Sequence, residues 1–237
     1  MATVNAVFSE PLLNEGFRQY IKWDLDTAPH CAISGITGTG KTYLLKLLLA
    51  RISKHIADSS IVLCDYKGDS DFSFLSDCSQ FFRFDSCLDG LNSFYADFLS
   101  VQKSGKPQST KLLVFDEWAS FINSLDKKEA EEAKKKLSSL LMLGRSFDFH
   151  IVLSQQRLDA ESFGKSRDNF NMIIVLGNPS KEVIGMLFSD YKDQITNDRT
   201  RGTGYMLING CNFQKIVVPQ ISSMEKVNAA IKEAVLR

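Results

Sequence analysis

A chain of 237 residues with 44% apolar side chains is long enough for one sizeable α/β core, with room beside it for a small appendage at most. Its 28 basic residues equal its 28 acidic ones, so an anionic partner must be met by a local patch rather than by the field of the whole molecule. Five scattered cysteines argue against a disulfide framework or a zinc site, and no apolar run or leader-like N-terminus points to a membrane or a secretory route, which predicts a cytoplasmic protein.

Residues 1–20 read as an N-terminal extension, 21–219 as the core of a single domain, and 220–237 as a C-terminal helix. Strand-like runs follow in order at 31–35, 60–65, 80–84, 111–116, 149–154, 171–177, 204–208 and 213–219. Helical stretches lie between and after them, near 42–57, 89–103, 128–144, 180–188 and 222–236. Several strands are continuously apolar, as strands covered on both faces are. The alternation predicts an α/β fold with a mostly parallel central sheet and helices on both faces. The last two strands, separated by "NGCN", predict an antiparallel hairpin at an edge. The charged run "KKEAEEAKKK" reads as a solvated helix face, with Glu131–Lys135 and Glu132–Lys136 spaced for i,i+4 pairs.

Between the first core strand and its helix stands "GITGTGKTY". Gly35, Gly40, Lys41 and Thr42 fit the spacing of a phosphate-binding loop, in which glycines let backbone N–H groups face the phosphates and the helix N-terminus adds its dipole. Gly35, Ile36, Thr37, Gly38, Thr39, Gly40, Lys41, Thr42 and Tyr43 are therefore the expected contacts to ATP, with Lys41 on the β- and γ-phosphates and the Thr42 hydroxyl on Mg²⁺. "KLLVFDEW" supplies the partner signal. Asp116, closing an apolar strand, is placed to hold the Mg²⁺ shell, and Glu117 to polarise the attacking water as a general base. The other reading of this acidic pair is a helix N-cap. In "HIVLSQQR" a strand delivers Gln155 and Gln156 to the same sheet edge, where Gln156 is placed to sense the γ-phosphate or position water. Its alternative is to cap a short helix beginning near Asp159. His150 reads as a packed or capping side chain, and no chemistry is assigned to His30.

Together "WDLDTAPHCAISGITGTGKTYLL", "IVLCDYKGD", "LLVFDEWASF" and "LGRSFDFHIVLSQQR" resemble the motor domain of the FtsK/SpoIIIE DNA translocases, within the FtsK–HerA class that includes conjugative coupling proteins. The resemblance covers about residues 20–219, with Leu158 standing where the family's glutamine motif commonly has proline. It implies a P-loop NTPase of RecA-like type that assembles as a hexameric ring around DNA and converts ATP hydrolysis into movement along it. It also implies a cation donated by a neighbouring subunit. Arg145, at the end of the long helix, is the first candidate, with Arg157 and Arg201 behind it; the other reading is that Arg145 satisfies that helix's last carbonyls. Expected DNA contacts are pore-facing loops around Lys67, Ser120–Lys128 and Lys165–Arg167, gripping phosphates without reading bases. The leading expectation is a translocase for double-stranded DNA. Two alternatives stand beside it: a coupling ATPase pumping single-stranded DNA, and a nucleotide switch accessory to plasmid or mobile-element replication.

Overall fold

The computed structural model describes residues 2–105, 109–158 and 160–237, apart from the side chains of 160, 164 and 165. Its ten strands are β1 (Thr3–Ser9), β2 (Tyr20–Asp24), β3 (Cys31–Ser34), β4 (Ser60–Asp65), β5 (Phe81–Arg83), β6 (Lys111–Asp116), β7 (Phe149–Gln155), β8 (Met172–Leu176), β9 (Thr203–Ile208) and β10 (Asn212–Val217). The helices are α1 (Glu10–Asn14), α2 (Lys41–His55), α3 (Cys87–Ser104), α4 (Trp118–Ser124), α5 (Lys127–Leu143), α6 (Ala160–Phe163), α7 (Lys181–Leu187) and α8 (Met224–Leu236). All strands form one sheet, in the order β2-β1-β10-β9-β8-β3-β7-β6-β4-β5. From β8 to β5 the neighbours are parallel, and from β8 outward through β9, β10, β1 and β2 they are antiparallel.

The antiparallel border expected from the final hairpin is present, and it reaches two strands further than that hairpin. Residues 1–20, read as an extension, contribute β1, which pairs with β10 at Phe8↔Val217 and with β2 on its other side. Where the β1–β2 register shifts between Asn5 and Val7, Arg51 of α2 donates to the carbonyls of Asn5 (2.7 Å) and Ala6 (2.8 Å). A helix on the face thus satisfies backbone groups that the irregular pairing leaves free.

Alternation within the central strands divides the core. Ile61, Leu63, Leu112, Val114, Val152 and Ile174 pack beneath α2 and α8. Cys64, Leu113, Phe115, Ile151 and Leu153 pack against α3, α4 and α5 on the opposite face. Helix α2 is apolar nearly all round because it lies between the sheet and α8, where Ser53 Oγ donates to the Ala230 carbonyl (2.6 Å). On α5 the apolar stripe Ala130, Ala133, Leu137, Leu140 and Leu141 faces the sheet. Its charged face pairs Glu131 with Lys134 at i,i+3 (3.1 Å) in place of the i,i+4 partner expected, and Lys136 instead reaches Asn92 on α3.

At the amino ends of the strands, His30 Nδ1 accepts the Ile151 N–H (3.1 Å). His150 places Nδ1 3.0 Å from the Pro29 carbonyl and Nε2 2.8 Å from Asp148 Oδ1, and Thr110 donates to the other Asp148 oxygen (2.8 Å). Both histidines are buried, so the pair is a packing element, remote from the carboxyl ends where an open α/β sheet holds its ligands.

Candidate nucleotide site

Strand β3 ends at Ser34 and the chain turns through 35–40 into α2. Gly35 has φ 152°, and a Cβ there would sit 2.6 Å from the Leu176 carbonyl oxygen and 2.8 Å from Thr39 Oγ1, so only glycine fits. Thr39 is buried and works within the loop, donating to the Ile36 carbonyl (2.8 Å). Its own carbonyl accepts the Gly202 N–H (3.0 Å), and the Gly202 carbonyl accepts the Val218 N–H (2.7 Å). The loop is thereby fastened to the antiparallel half of the sheet. Lys41 reaches back over it, donating from Nζ to the carbonyls of Gly35 (2.7 Å) and Ile36 (3.4 Å).

The acids arrive on strands two and three places away. Register sets Asp65, Asp116 and Ser154 in one row across β4, β6 and β7. Burial pushes the Asp116 carboxyl up to about 7, with Glu117 and Asp65 adding to the rise and Ser154 and Lys41 opposing it. Glu117 is left-handed, at φ 62° and ψ 49°, a conformation that costs a residue with a side chain about 1–3 kcal/mol. Two backbone bonds hold it there: its N–H to the Ser154 carbonyl (2.7 Å) and its carbonyl from the Phe121 N–H (3.1 Å). This sharp exit from β6 into α4 sets the Glu117 carboxylate in the cleft. Its side chain makes no capping bond to α4, against the N-cap reading. Burial raises the Glu117 carboxyl, while Lys41 and Lys67 favour its charged form.

Between loop and acids lies a cleft of about 360 Å³, within the range of small-ligand pockets. Thr37, Gly38, Gly40, Lys41, Thr42 and Tyr43 form one wall, and Lys46, Lys67, Asp71, Asp116, Glu117, Arg201 and Met224 complete the lining. Four cations at the mouth of a glycine loop suit a polyphosphate. Among the described residues no three His, Cys, Asp or Glu side chains gather as a metal cage. The Thr42 hydroxyl and Asp116 carboxylate both line the cleft as hard oxygen donors, too few to enclose an ion alone. Such a donor pair fits Mg²⁺, which keeps waters and takes phosphate oxygens.

The predicted residues divide by position. Thr37, Gly38, Gly40, Lys41, Thr42, Tyr43, Asp116 and Glu117 converge on the cleft, whereas Gly35, Ile36 and Thr39, also expected as contacts, stand outside its lining and shape the turn. Gln156 is exposed and outside the cleft lining, although its carbonyl accepts the Ser34 hydroxyl (3.0 Å) and its backbone N–H, with Lys41 and Lys67, favours the charged form of Glu117. Gln155 is the buried one, because it is the last residue of β7, a strand buried along its whole length, and Gln156 lies just beyond it; the Gln155 Oε1 accepts the Ala119 N–H (3.3 Å) and its amide donates to the Arg157 carbonyl. Arg145 is exposed at the amino end of β7, across the sheet from the loop, with no side-chain bond to the α5 carbonyls among the described residues. Arg201 lines the cleft in the same chain, and so does Lys67, which the sequence assigned to a DNA-facing loop. Asp159 and the Lys165 side chain lie outside the described residues. Sequence reasoning missed Lys46 and Asp71; Lys46, one turn into α2 beyond Lys41, was open to a spacing argument.

A glycine loop between strand and helix, with a buried acid ending a nearby parallel strand, defines the P-loop nucleotide hydrolases. The chain belongs to the family described as Helicase HerA, central domain, which matches residues 9–163, and it is an FtsK/HerA-type ATPase. It is similar to the FtsK domain-containing protein YdcQ of Bacillus subtilis (strain 168), at 29% identity over 236 aligned residues that take in 92% of this chain and 48% of that protein. The chain thus spans about half the length of that relative. Among solved structures, the pCW3 conjugation coupling protein TcpA, in a monomer form with ATPγS, superposes with a TM-score of 0.76 at 17% identity, covering 98% of this chain and 70% of that one. The cytoplasmic domain of the Thermomonospora curvata type VII secretion ATPase EccC gives 0.74 at 16%, covering 99% and 31%. The genome packaging NTPase B204 of Sulfolobus turreted icosahedral virus 2, with AMPPCP, gives 0.55 at 18%, covering 84% and 100%. At these identities the likeness is one of fold. No helix among the described residues is long and apolar enough to cross a membrane.

Proposed function

We propose that this chain is the motor of an ATP-driven DNA translocase, a single RecA-like domain acting in a ring of copies on double-stranded DNA. The observation that carries the proposal is the strained Glu117, held beside Lys41 at the edge of a phosphate loop. A nucleotide switch needs the loop alone, whereas a base kept in a costly backbone conformation serves turnover. The loop amides and Lys41 take the β- and γ-phosphates, and Thr42 with Asp116 would hold Mg²⁺, which neutralises phosphate charge when bound. Glu117 accepts a proton from the attacking water, its carboxylate steadied by the Gln156 N–H. Arg145 of an adjoining copy supplies the cation that the γ-phosphate requires in the transition state.

Family membership supports a DNA substrate, as do the fold relatives named for conjugation coupling and genome packaging. The extent of the likeness to TcpA favours a second reading, in which the strand moved is single. Steady-state ATP hydrolysis without DNA, with single strands and with duplex separates them. Duplex-specific stimulation that falls steeply with salt is expected, because the contacts are to phosphates. Stimulation by single strands alone selects the second reading, and none by either removes both.

A further inference from the structure

The turn that follows β4 is held from three directions. Asp65 Oδ1 accepts the Gly68 N–H (2.9 Å). Arg83, at the end of β5, donates to the Gly68 carbonyl and to that of Asp69 (3.1 Å). Asp69 Oδ1 accepts the Asp71 N–H (2.9 Å), capping a short 3₁₀ helix, Ser70–Leu75. Gly68 itself sits at φ 67° with the Phe84 ring packed where a side chain would begin. Lys67 is the exception in this rigid turn: its side chain is 53% exposed, lines the nucleotide cleft, and has one salt-bridge partner among the described residues, Asp69 Oδ2 at 2.8 Å.

That pairing is a weak one by its surroundings. Both partners are substantially solvated, and ion pairs of that kind contribute little. Lys67 also shares the cleft with Lys41, whose charged form it disfavours, and with Asp116 and Glu117, which favour its own. Two lysines converge on one space most favourably when an anion with several oxygens lies between them. A four-carbon stem with free torsions lets Lys67 turn from one partner to another, as a planar, forked guanidinium on this turn would do less readily. If Lys67 leaves, Asp69 keeps company with Lys46, which already favours its charged form.

We infer that Lys67 is a second phosphate-contacting cation of the site, exchanging Asp69 for the terminal phosphate of a bound nucleoside triphosphate. This rests on the reading of the cleft as the ATP site and adds to it a means of telling triphosphate from diphosphate. Asp69 is the internal competitor that holds Lys67 off a diphosphate. The same chemistry would also suit a phosphate of the DNA backbone, and the experiment distinguishes the two sources.

Equilibrium binding of ATPγS, of ADP and of a DNA duplex is measured for the wild-type chain and for Lys67→Ala, Lys67→Arg, Asp69→Asn and Lys41→Ala. Lys67→Ala should bind ADP as wild type does and ATPγS about ten- to a hundredfold more weakly, the worth of one hydrogen bond to a charged group. Lys67→Arg, which keeps the charge but turns less readily, should recover only part of the loss. Asp69→Asn keeps a good capping residue but removes the rival charge, so it should tighten ATPγS and, with Lys67 no longer held back, ADP as well, narrowing the preference for the triphosphate. Equal weakening of both nucleotides by Lys67→Ala, or of neither, overturns the inference. So does a loss of duplex binding at an unchanged ATPγS-to-ADP ratio, which assigns Lys67 to DNA. Failure of the wild type to bind either nucleotide removes the ATP site itself, and Lys41→Ala, expected to bind neither, shows what that failure looks like.

Discussion

Asp65 on β4 and Asp116 on β6 are register partners, both almost wholly buried, and Asp65 Oδ2 has no hydrogen-bond partner among the described residues. The nearest cation, Arg83 Nε at 3.8 Å, is beyond hydrogen-bond reach. Two carboxyls crowded at a strand edge, with Glu117 beside them, store repulsion that a bound cation relieves.

Asp116→Asn should therefore stabilise the nucleotide-free protein while abolishing Mg²⁺-dependent hydrolysis. The folded carboxyl titrates at about 7, above its unfolded value, so its stabilising contribution is complete below about pH 4 and lost as pH rises through 7. The variant's gain should be roughly 2–4 kcal/mol at pH 8 and vanish near pH 4. Thermal melts of both proteins at the two pH values check this, and a variant that melts lower at pH 8 contradicts it.

Glu117→Gln should retain ATP and lose about 10²–10⁴ in turnover, since only the proton acceptor is removed. Glu117→Gly should be as inactive, yet more stable by about 1 kcal/mol, because glycine adopts the left-handed turn without strain. ATP retention, turnover and denaturant midpoints measured on both variants separate the chemical role from the backbone role. Native turnover in Glu117→Gln places the base elsewhere.

Arg145 cannot serve its own chain. The seven residues of β7 separate it from the carboxyl edge, about 20 Å at the rise of an extended strand. Arg145→Ala should bind ATP normally and lose about 10³–10⁵ in rate, as hydrolases deprived of a donated guanidinium do. Mixed with inactive Lys41→Ala subunits it should regain activity, each supplying what the other lacks. A mixture that co-assembles and stays inactive eliminates the role.

His30 sets a different pH dependence. Burial, then the neighbouring His150, lowers its pKa to about 3, so it takes up a proton only when the chain unfolds. Its contribution is present above about pH 6.5 and lost on acidification toward 3, with about 2 kcal/mol gone between pH 7 and pH 5. His30→Asn, which retains an acceptor for the Ile151 N–H, should flatten the urea midpoint over that interval. An unchanged slope means that other groups dominate.

Lys41 and Asp116 were legible in the sequence because each belongs to a pattern complete within a few residues. Lys67 and Arg201 were not, since they reach the cleft only through the placing of β4 beside β6 and the docking of Gly202 on Thr39. Ser120–Lys128, read from the sequence as a pore-facing loop, is instead the end of α4 and the start of α5, "WASFINS" being too short to show a helical period, and the left-handed Glu117 that starts α4 has no sequence signature. Gln155 and Gln156 are chemically identical neighbours, and only the end of the β7 pleat decides which is buried. Strand β1 escaped notice because its irregular pairing breaks the strict alternation by which strands are found.

The pairing of Phe8 with Val217 also fixes an order of events during synthesis. Strand β1 leaves the ribosome ahead of the strand it must join, which is made roughly 200 residues later, some 10–40 s at ordinary elongation rates. Through that interval an apolar strand and its hairpin partner β2 wait with one edge uncovered, in the form that invites pairing with another chain. Folding of this sheet is completed when these two distant strands meet, so slowing translation or deleting β10 should show itself first as aggregation through β1.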